Sequence, residues 1–469
     1  MPRFCKQLQF SLLVFIAAIV LPTLLRAADP VDWLWTAKYV VTMDSQRRVI
    51  ENGAVAINAD RIVAVGTEAE IREKYRGRRT LSRPDAMITP GLINTHTHAP
   101  MSLLRGIADD MRLQDWLENF IFPAEAKNVS PEFVRWGTRL ACAEMLLSGT
   151  TTYTDMYYFE DVIAETTKEC GMRGVLGQTI IGFPVPDAKT PAEALAFTEK
   201  YLQRFKNDPL IVPAVAPHAI YTNSDETLKA SRELANKYGA PIIIHLSETK
   251  RENDETIQKR GKSPTQALEA LGFFEGRTIA AHGVWLDDED LAILKRRGVG
   301  VAHCPSSNMK LASGVAPVVK MLEMEIALGL GPDGPAGSNN DFQMFEEMDL
   351  AAKLQKVTTG DPTAVTAQQA MEMATIGGAR VLGMEKEIGS LEAGKRADLI
   401  TIKLDSPHTT PIYNVYSHLA YVIKGSDVTD VMINGAFVVR GRRIQTMNEP
   451  QVREKAEELA RRIKASLAK

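Results

Sequence analysis

The chain has 469 residues, 45% of them apolar and 24% charged, with a formal charge of −3. Those proportions belong to a globular protein and exclude a disordered, collagen-like or polytopic membrane chain. No basic run supplies the electrostatic footprint of a nucleic-acid binder, and four cysteines in this length do not make a disulfide scaffold.

Residues 1–9 carry Arg3 and Lys6 and no acid, Phe10 to Leu21 is an apolar run, and Pro22 and the small pair Ala27-Ala28 follow. A basic start, a short apolar core and a small-residue exit predict a signal peptide over 1–27, its core shorter than the roughly 20 residues of a spanning helix. The expectation is an exported chain, periplasmic or secreted, with no stable membrane partner after cleavage; the alternative is an uncleaved anchor. Cleavage removes Cys5 and leaves Cys142, Cys170 and Cys304 without close spacing, so no structural disulfide is expected.

Beyond the leader, Lys38 to Thr42, Ala54 to Ile57 and Arg61 to Val65 read as short strands with Asn58-Ala-Asp60 as a turn. The same pattern returns late, with Asp398 to Ile402, Val428 to Ile433, the hairpin dipeptide Asn434-Gly435, and Ala436 to Val439. A small β-sandwich built from both ends, 28–88 and 386–448, is predicted. Between them, eight apolar runs end at Ile93, Thr154, Ile181, Ala216, His245, Ala281, Cys304 and Gly331, separated by helical stretches such as Pro131–Leu147, Asp225–Lys237 and Asp287–Arg297. Buried parallel strands alternating with helices predict an α/β fold, a (β/α)8 TIM-type barrel over 89–385. Residues 449–469, rich in Glu, Lys, Arg and Ala, read as a solvated C-terminal helix.

In such a barrel the chemistry sits at the C-terminal strand ends. Six of the eight histidines, at 96, 98, 218, 245, 282 and 303, fall at or near those ends. His96 and His98 are two apart, so in an extended segment both imidazoles point the same way. With His245 and Asp333 they offer three nitrogens and a carboxylate, a set for one divalent ion, Zn²⁺ before Fe²⁺. Glu248, three residues beyond His245, is placed to move a proton between water and a leaving amine. His282 is read as holding the attacking hydroxide or developing charge, His218 as touching substrate, and His303 as structural.

Two motifs carry no chemistry. Gly329-Leu-Gly-Pro-Asp-Gly334 matches a dinucleotide fingerprint in form but follows the eighth run and contains Pro332. Cys304-Pro305 lacks the H-x-E and P-C-x-x-C context of nucleobase deaminases.

Pro90 to Gly106, with Asn94-Thr-His-Thr-His98, resembles the amidohydrolase superfamily, and is most similar to its methylthioadenosine/S-adenosylhomocysteine deaminase branch, related to triazine hydrolases. His245-Leu-Ser-Glu-Thr249, Ala281-His-Gly283, His303 to Asn308 and Gly331 to Asn340 carry the likeness further, over about residues 33–445. The resemblance implies a single metal on His96, His98, His245 and Asp333, Glu248 as proton shuttle, and His282 and Asp333 orienting water. It also implies Glu125 on ribose hydroxyls, His218 on substrate, and Ser306, Ser307 and Asn308 shaping a base pocket. Substrate choice would depend on the loops around Trp116, Glu125 and Gln178. Gln178 stands where family members often carry an arginine, and an amide cannot give a carboxylate the bidentate cationic clamp. Hydrolytic deamination of an adenine-type nucleoside is the expected activity. Guanine-type or triazine-type heterocycles are the nearest alternative, and a non-catalytic binding protein the distant one. The expected partner is a small heterocycle, and relatives' habits imply a homo-oligomer.

Overall fold

Residues 28–468 are described by a computed structural model. The expected leader, 1–27, lies outside the described residues. Strands β1 (Asp29–Val41), β2 (Val49–Asn58), β3 (Arg61–Thr67) and β4 (Tyr75–Pro90) come before the central region. Eight strands follow: β5 (Leu92–Thr97), β6 (Thr150–Tyr157), β7 (Arg173–Ile180), β8 (Ile211–Pro217), β9 (Ile242–Leu246), β10 (Thr278–His282), β11 (Gly300–His303) and β12 (Leu328–Leu330). They close on themselves in the order β10-β11-β12-β5-β6-β7-β8-β9, every pairing parallel. Apart from Val212 and Pro213, every residue of these eight strands is buried. Continuous apolar runs rather than alternation therefore mark them in the sequence.

The terminal strands make one mixed sheet, completed by β13 (Leu399–Lys403), β14 (Val428–Ile433), β15 (Ala436–Arg440) and β16 (Arg443–Ile444) in the order β16-β15-β14-β13-β4-β1-β2-β3. Strand β13 pairs antiparallel with β4, Leu399 opposite Pro90, which ties the two ends of the chain together. Strand β4 is absent from the sequence reading because its first half, Tyr75 to Ser82, is polar. Its cations are matched instead by partners: Arg78 with Asp32 at 3.1 Å, Arg83 with both oxygens of Asp430 at 3.0 Å, and Arg79 over the Trp33 ring. Backbone pairing with β1 on one side and β13 on the other supplies the rest.

Sheet and barrel are joined by a buried ion pair. Arg173, first residue of β7, places Nε 3.0 Å from Asp398 Oδ2. Helix Pro131–Leu147 starts at an N-cap, Ser130, that accepts the Phe133 N–H. Its Gly137 lets the chain after β5 approach closely, since a Cβ there would fall 2.4 Å from Pro100 O. The C-terminal helix, Glu449–Leu467, is not solvated all round as its composition predicts. Val452, Ala456, Leu459 and Ile463 form a buried stripe, and Arg462 reaches Glu132 at 3.0 Å. Apolar residues at four- and three-residue steps put one face of the helix on its neighbours.

Candidate metal centre and active site

Strand β5 continues four residues past its apolar run, through Thr97, and so carries His96 within the strand and His98 immediately after it. Thr and Asn side chains there are occupied locally: Asn94 Oδ1 accepts the His96 N–H at 3.0 Å. His245 is the fourth residue of β9 and His282 ends β10. Asp333 follows β12 through Gly331, where a Cβ would stand 2.7 Å from His96 N and 2.8 Å from His96 O. Only glycine allows that crossing, and it sets Asp333 against the two imidazoles of β5.

Ligand atoms of His96, His98 and His245 all lie within 4.8 Å of one another, and so do those of His96, His282 and Asp333. Asp333 Oδ1 is 3.3 Å from Nε2 of both His96 and His98. The tautomers are fixed from behind. His98 Nδ1 lies 2.7 Å from the Met156 carbonyl and His245 Nδ1 lies 2.9 Å from the His218 carbonyl. A carbonyl only accepts, so each Nδ1 carries hydrogen and, with the ring neutral, each Nε2 turns a lone pair inward. Both nitrogens of His96 are buried without a hydrogen-bond partner. Buried imidazole nitrogens left unpaired are costly, and inward lone pairs beside a carboxylate are the donor set that a borderline divalent cation satisfies.

The electrostatics agree. Burial opposes charge on His98, but the Asp333 carboxylate outweighs it and holds the pKa of the metal-free ring up at about 9. Burial takes His96 down to about 4 despite Asp333, and Asp333 itself stays well below the usual carboxylate range because those imidazoles overcome its burial. Without an ion, the proton on His98 supplies the positive charge that faces Asp333.

Glu248 Oε2 is 3.9 Å from His282 Nε2. Burial, and then the charge of Asp333, push Glu248 up to about 8. His282 Nδ1 lies 3.0 Å from Asn308 Oδ1, which leaves its Nε2 facing the Glu248 side. Three non-glycine residues here have left-handed backbones: Ser247 (φ 49°), His282 (φ 72°) and Asp333 (φ 65°). Strain of this kind gathers at functional sites, where it re-aims side chains after a strand ends.

A narrow chamber of about 60 Å³ opens from this cluster, walled by His98, His218, Glu125, Trp116, Tyr157 and Glu248 among others. It meets a wider cleft of about 780 Å³, and Leu117, Phe122 and Tyr221 line both. Glu125 accepts the Tyr157 hydroxyl at 2.6 Å, and burial raises it to about 7. Trp116 is fixed by its Nε1–H to the Ala336 carbonyl, 3.0 Å.

Four of the residues expected on substrate are not on that wall. Gln178 is buried behind it, its amide bonded to Asp187 Oδ2 at 2.8 Å and its carbonyl to the Glu160 N–H at 3.1 Å. Ser307 donates to Asp333 Oδ2 at 2.7 Å and Asn308 accepts from His282, so both support the cluster from outside. Ser306 is engaged by Glu347. His303 is fully buried with both nitrogens unpaired. Residues the sequence reading missed are Asp155, whose Oδ1 accepts the Ala99 N–H at 2.5 Å and holds the turn after His98, and Tyr157 beside Glu125. Both lie in the last three residues of β6, and their place at a barrel strand end was the available signal.

Residues 87–438 match the model of the amidohydrolase family, and residues 53–77 that of a bacterial imidazolonepropionase-like composite domain. The chain is 49% identical over 439 residues to 5-methylthioadenosine/S-adenosylhomocysteine deaminase 1 of Syntrophus aciditrophicus, covering 94% of this chain and 99% of that one. It is 48% identical over 432 residues to the deaminase of that name from Thermodesulfovibrio yellowstonii, at 92% and 98% coverage. A zinc-bound adenosine deaminase from Xanthomonas campestris superimposes with a TM-score of 0.92 at 41% identity, covering 94% of this chain and all of that one. A zinc-complexed atrazine chlorohydrolase from Arthrobacter aurescens shares the fold, with a TM-score of 0.82 at 23% identity, over 91% of this chain and all of the other.

Proposed function

Because the chain belongs to the amidohydrolase family, we propose that it is a metal-dependent aminohydrolase that replaces the exocyclic amine of an adenine-type nucleoside with oxygen and releases ammonia. The substrate class is adenosine, methylthioadenosine or S-adenosylhomocysteine, as the names of the relatives at 49% and 41% identity indicate. The observation that carries the chemistry is a buried carboxyl, Glu248, beside a cluster of three imidazoles and Asp333.

His96, His98, His245 and Asp333 would hold one divalent ion, Zn²⁺, whose Lewis acidity makes water a nucleophile near neutral pH, where its pKa would otherwise be about 15.7. Asp333, ionised and anchored by Ser307 and the Gly334 N–H at 2.7 Å each, takes a hydrogen bond from the attacking water. Glu248, which the charge of a bound divalent ion would keep ionised against its burial, accepts the water proton, places it on the ring nitrogen next to the reacting carbon, and returns a proton to the departing amine. His282 carries its hydrogen on Nδ1 toward Asn308, so its Nε2 accepts from the water or the developing hydroxyl. Glu125 accepts from ribose hydroxyls and His218 borders the base, while the outer cleft takes the 5′ substituent. The balance is water plus aminopurine giving oxopurine plus ammonia.

The partner is a small heterocycle. A charge of −3 without a basic run supports that over a nucleic acid. Export through residues 1–27 and self-association belong to the same proposal, the first resting on the basic start and the apolar run, the second on the habits of the resembled family. N-terminal sequencing of the mature protein and light scattering test them.

The main experiment is an ammonia-release panel of adenosine, methylthioadenosine, S-adenosylhomocysteine, guanine and aminated triazines, run with Glu248→Gln alongside. Turnover of the adenine nucleosides, lost in a variant that keeps its metal, is the expected result. Turnover of guanine or triazines alone would overturn the substrate class. A metal-replete Glu248→Gln variant with wild-type turnover would remove Glu248 from the mechanism.

A further inference from the structure

We propose that Glu252 is a positioning residue for the reaction: its carboxylate holds the peptide of Glu248 in the one conformation that aims the Glu248 side chain at the metal centre. The inference rests on Glu248 being the proton carrier. Strand β9 ends at Leu246, and the chain turns through Ser247 with φ of 49°, a left-handed conformation that a serine does not prefer. The turn is clamped from both sides. The Ser247 carbonyl accepts the N–H of Val284 at 3.1 Å and of Trp285 at 2.9 Å. The opposite edge is held by Glu252 alone: Oε1 accepts the Ser247 N–H at 3.2 Å and Oε2 accepts the Glu248 N–H at 2.8 Å.

Glu252 reaches these donors because of where its helix begins. Thr249 is the N-cap of helix Lys250–Arg260, and its hydroxyl accepts the Glu252 N–H at 3.2 Å, so Glu252 occupies the third helical position. A glutamate there ordinarily turns back to the N-cap N–H. Here it feels the N-cap N–H of Thr249 as well, and reaches further upstream to two amides of the strand exit. It is buried, and no lysine, arginine or histidine lies within ion-pairing distance among the described residues. Burial pushes it up to about 8, against the pull of the Glu248, Ser247 and Thr249 N–H groups, so the comparison with glutamine is made at about pH 9, where the carboxylate is ionised and both oxygens accept. A buried carboxylate without a cation is costly to keep, and its two oxygens are spent on the residue that carries the chemistry and its neighbour. Glutamine offers one acceptor and one donor, so in its place one of the two amides would face an NH₂ group.

The test is a double-mutant cycle on the zinc-loaded full chain, with adenosine or methylthioadenosine as substrate, using Glu252→Gln, Glu248→Gln and the double variant. Glu252→Gln is expected to lower kcat by about ten- to a hundredfold, with KM changed less than about twofold and with metal content and Tm unchanged. In the Glu248→Gln background the second substitution is expected to cost nothing, because Glu252 acts only through Glu248. Where Glu248→Gln falls below detection, Glu248→Ala with added formate as the proton carrier serves as the background, because a free carboxylate is not aimed by the residue-248 peptide. Losses that multiply, wild-type kcat in Glu252→Gln, or lost metal or lowered Tm in that variant would each overturn the proposal. Wild-type turnover in Glu248→Gln would instead overturn the parent reading.

Discussion

Glu125 ties the acid–base state of the chamber wall to the stability of the whole chain. It is 3% exposed, on helix Phe122–Asn128, and burial raises its pKa from the ordinary 4.5 to about 7 although the Tyr157 hydroxyl pulls the other way. The folded chain thus keeps a proton that the unfolded chain has released. Stability from this group is complete below pH 4.5, falls as pH rises, and is lost above about 7. At about 1.4 kcal/mol per pH unit over that interval, the loss amounts to about 3.5 kcal/mol, of which about 2.5 kcal/mol falls between pH 5 and pH 8. Glu125→Gln removes the titration and keeps the shape. With an unfolding entropy of about 2.1 cal/mol/K per residue, 2.5 kcal/mol corresponds to a Tm change of about 2.5 °C for a chain of this length. The Tm of Glu125→Gln minus that of the wild type should therefore grow by about 2.5 °C between pH 5 and pH 8. Chelator-stripped protein in a calorimeter is the assay, since a divalent charge nearby would favour the ionised form and shrink the effect. A difference constant within about 0.5 °C over that window would refute the account, because Glu125 would then be ionised in the folded protein at the acid end.

Other perturbations have equally definite outcomes. Chelation should remove one zinc per chain with loss of turnover, and adding zinc back should restore both, read by metal analysis and ammonia release. Ser307→Ala removes the 2.7 Å hydrogen bond to Asp333 Oδ2 and should weaken zinc binding by about 10–100-fold, measured by competition with a metal indicator; unchanged affinity would mean that Asp333 needs no support. Arg173→Met leaves the Asp398 carboxylate buried without its cation, a cost of about 3–5 kcal/mol; denaturant unfolding should show it, and Arg173→Met/Asp398→Asn should recover more than half. Gly137→Ala drives a methyl group to within 2.4 Å of Pro100 O and 2.8 Å of Pro100 Cα. Backbone cannot step aside as a flexible side chain does, so a loss of about 1–3 kcal/mol is expected, with weaker zinc binding because Pro100 follows His98 by two residues.

The amino-acid sequence alone determined the alternation of buried strands and helices, and with it the closed barrel, because a strand covered on both faces must be apolar at successive positions. It also determined that His96 and His98 share a direction, since i and i+2 in an extended chain do so whatever surrounds them. Position at a strand end drew attention to His245, His282 and Asp333 by the same local logic. Tertiary structure alone decided the rest. Strand β4 carries no apolar alternation in its first half, and exists because β1 and β13 pair with it and Asp32 and Asp430 neutralise its arginines. Whether a residue beyond a strand end meets the chamber or turns its back depends on one or two backbone angles and on neighbours far away in the chain. Gln178 is drawn behind the wall by Asp187 and Glu160, and Ser307 and Asn308 are claimed by Asp333 and His282. Glu248 faces the chamber after a left-handed turn at Ser247. Spacing fixes direction inside a regular element; past its end, direction is set by whichever distant donors and acceptors the folded chain brings within hydrogen-bonding reach.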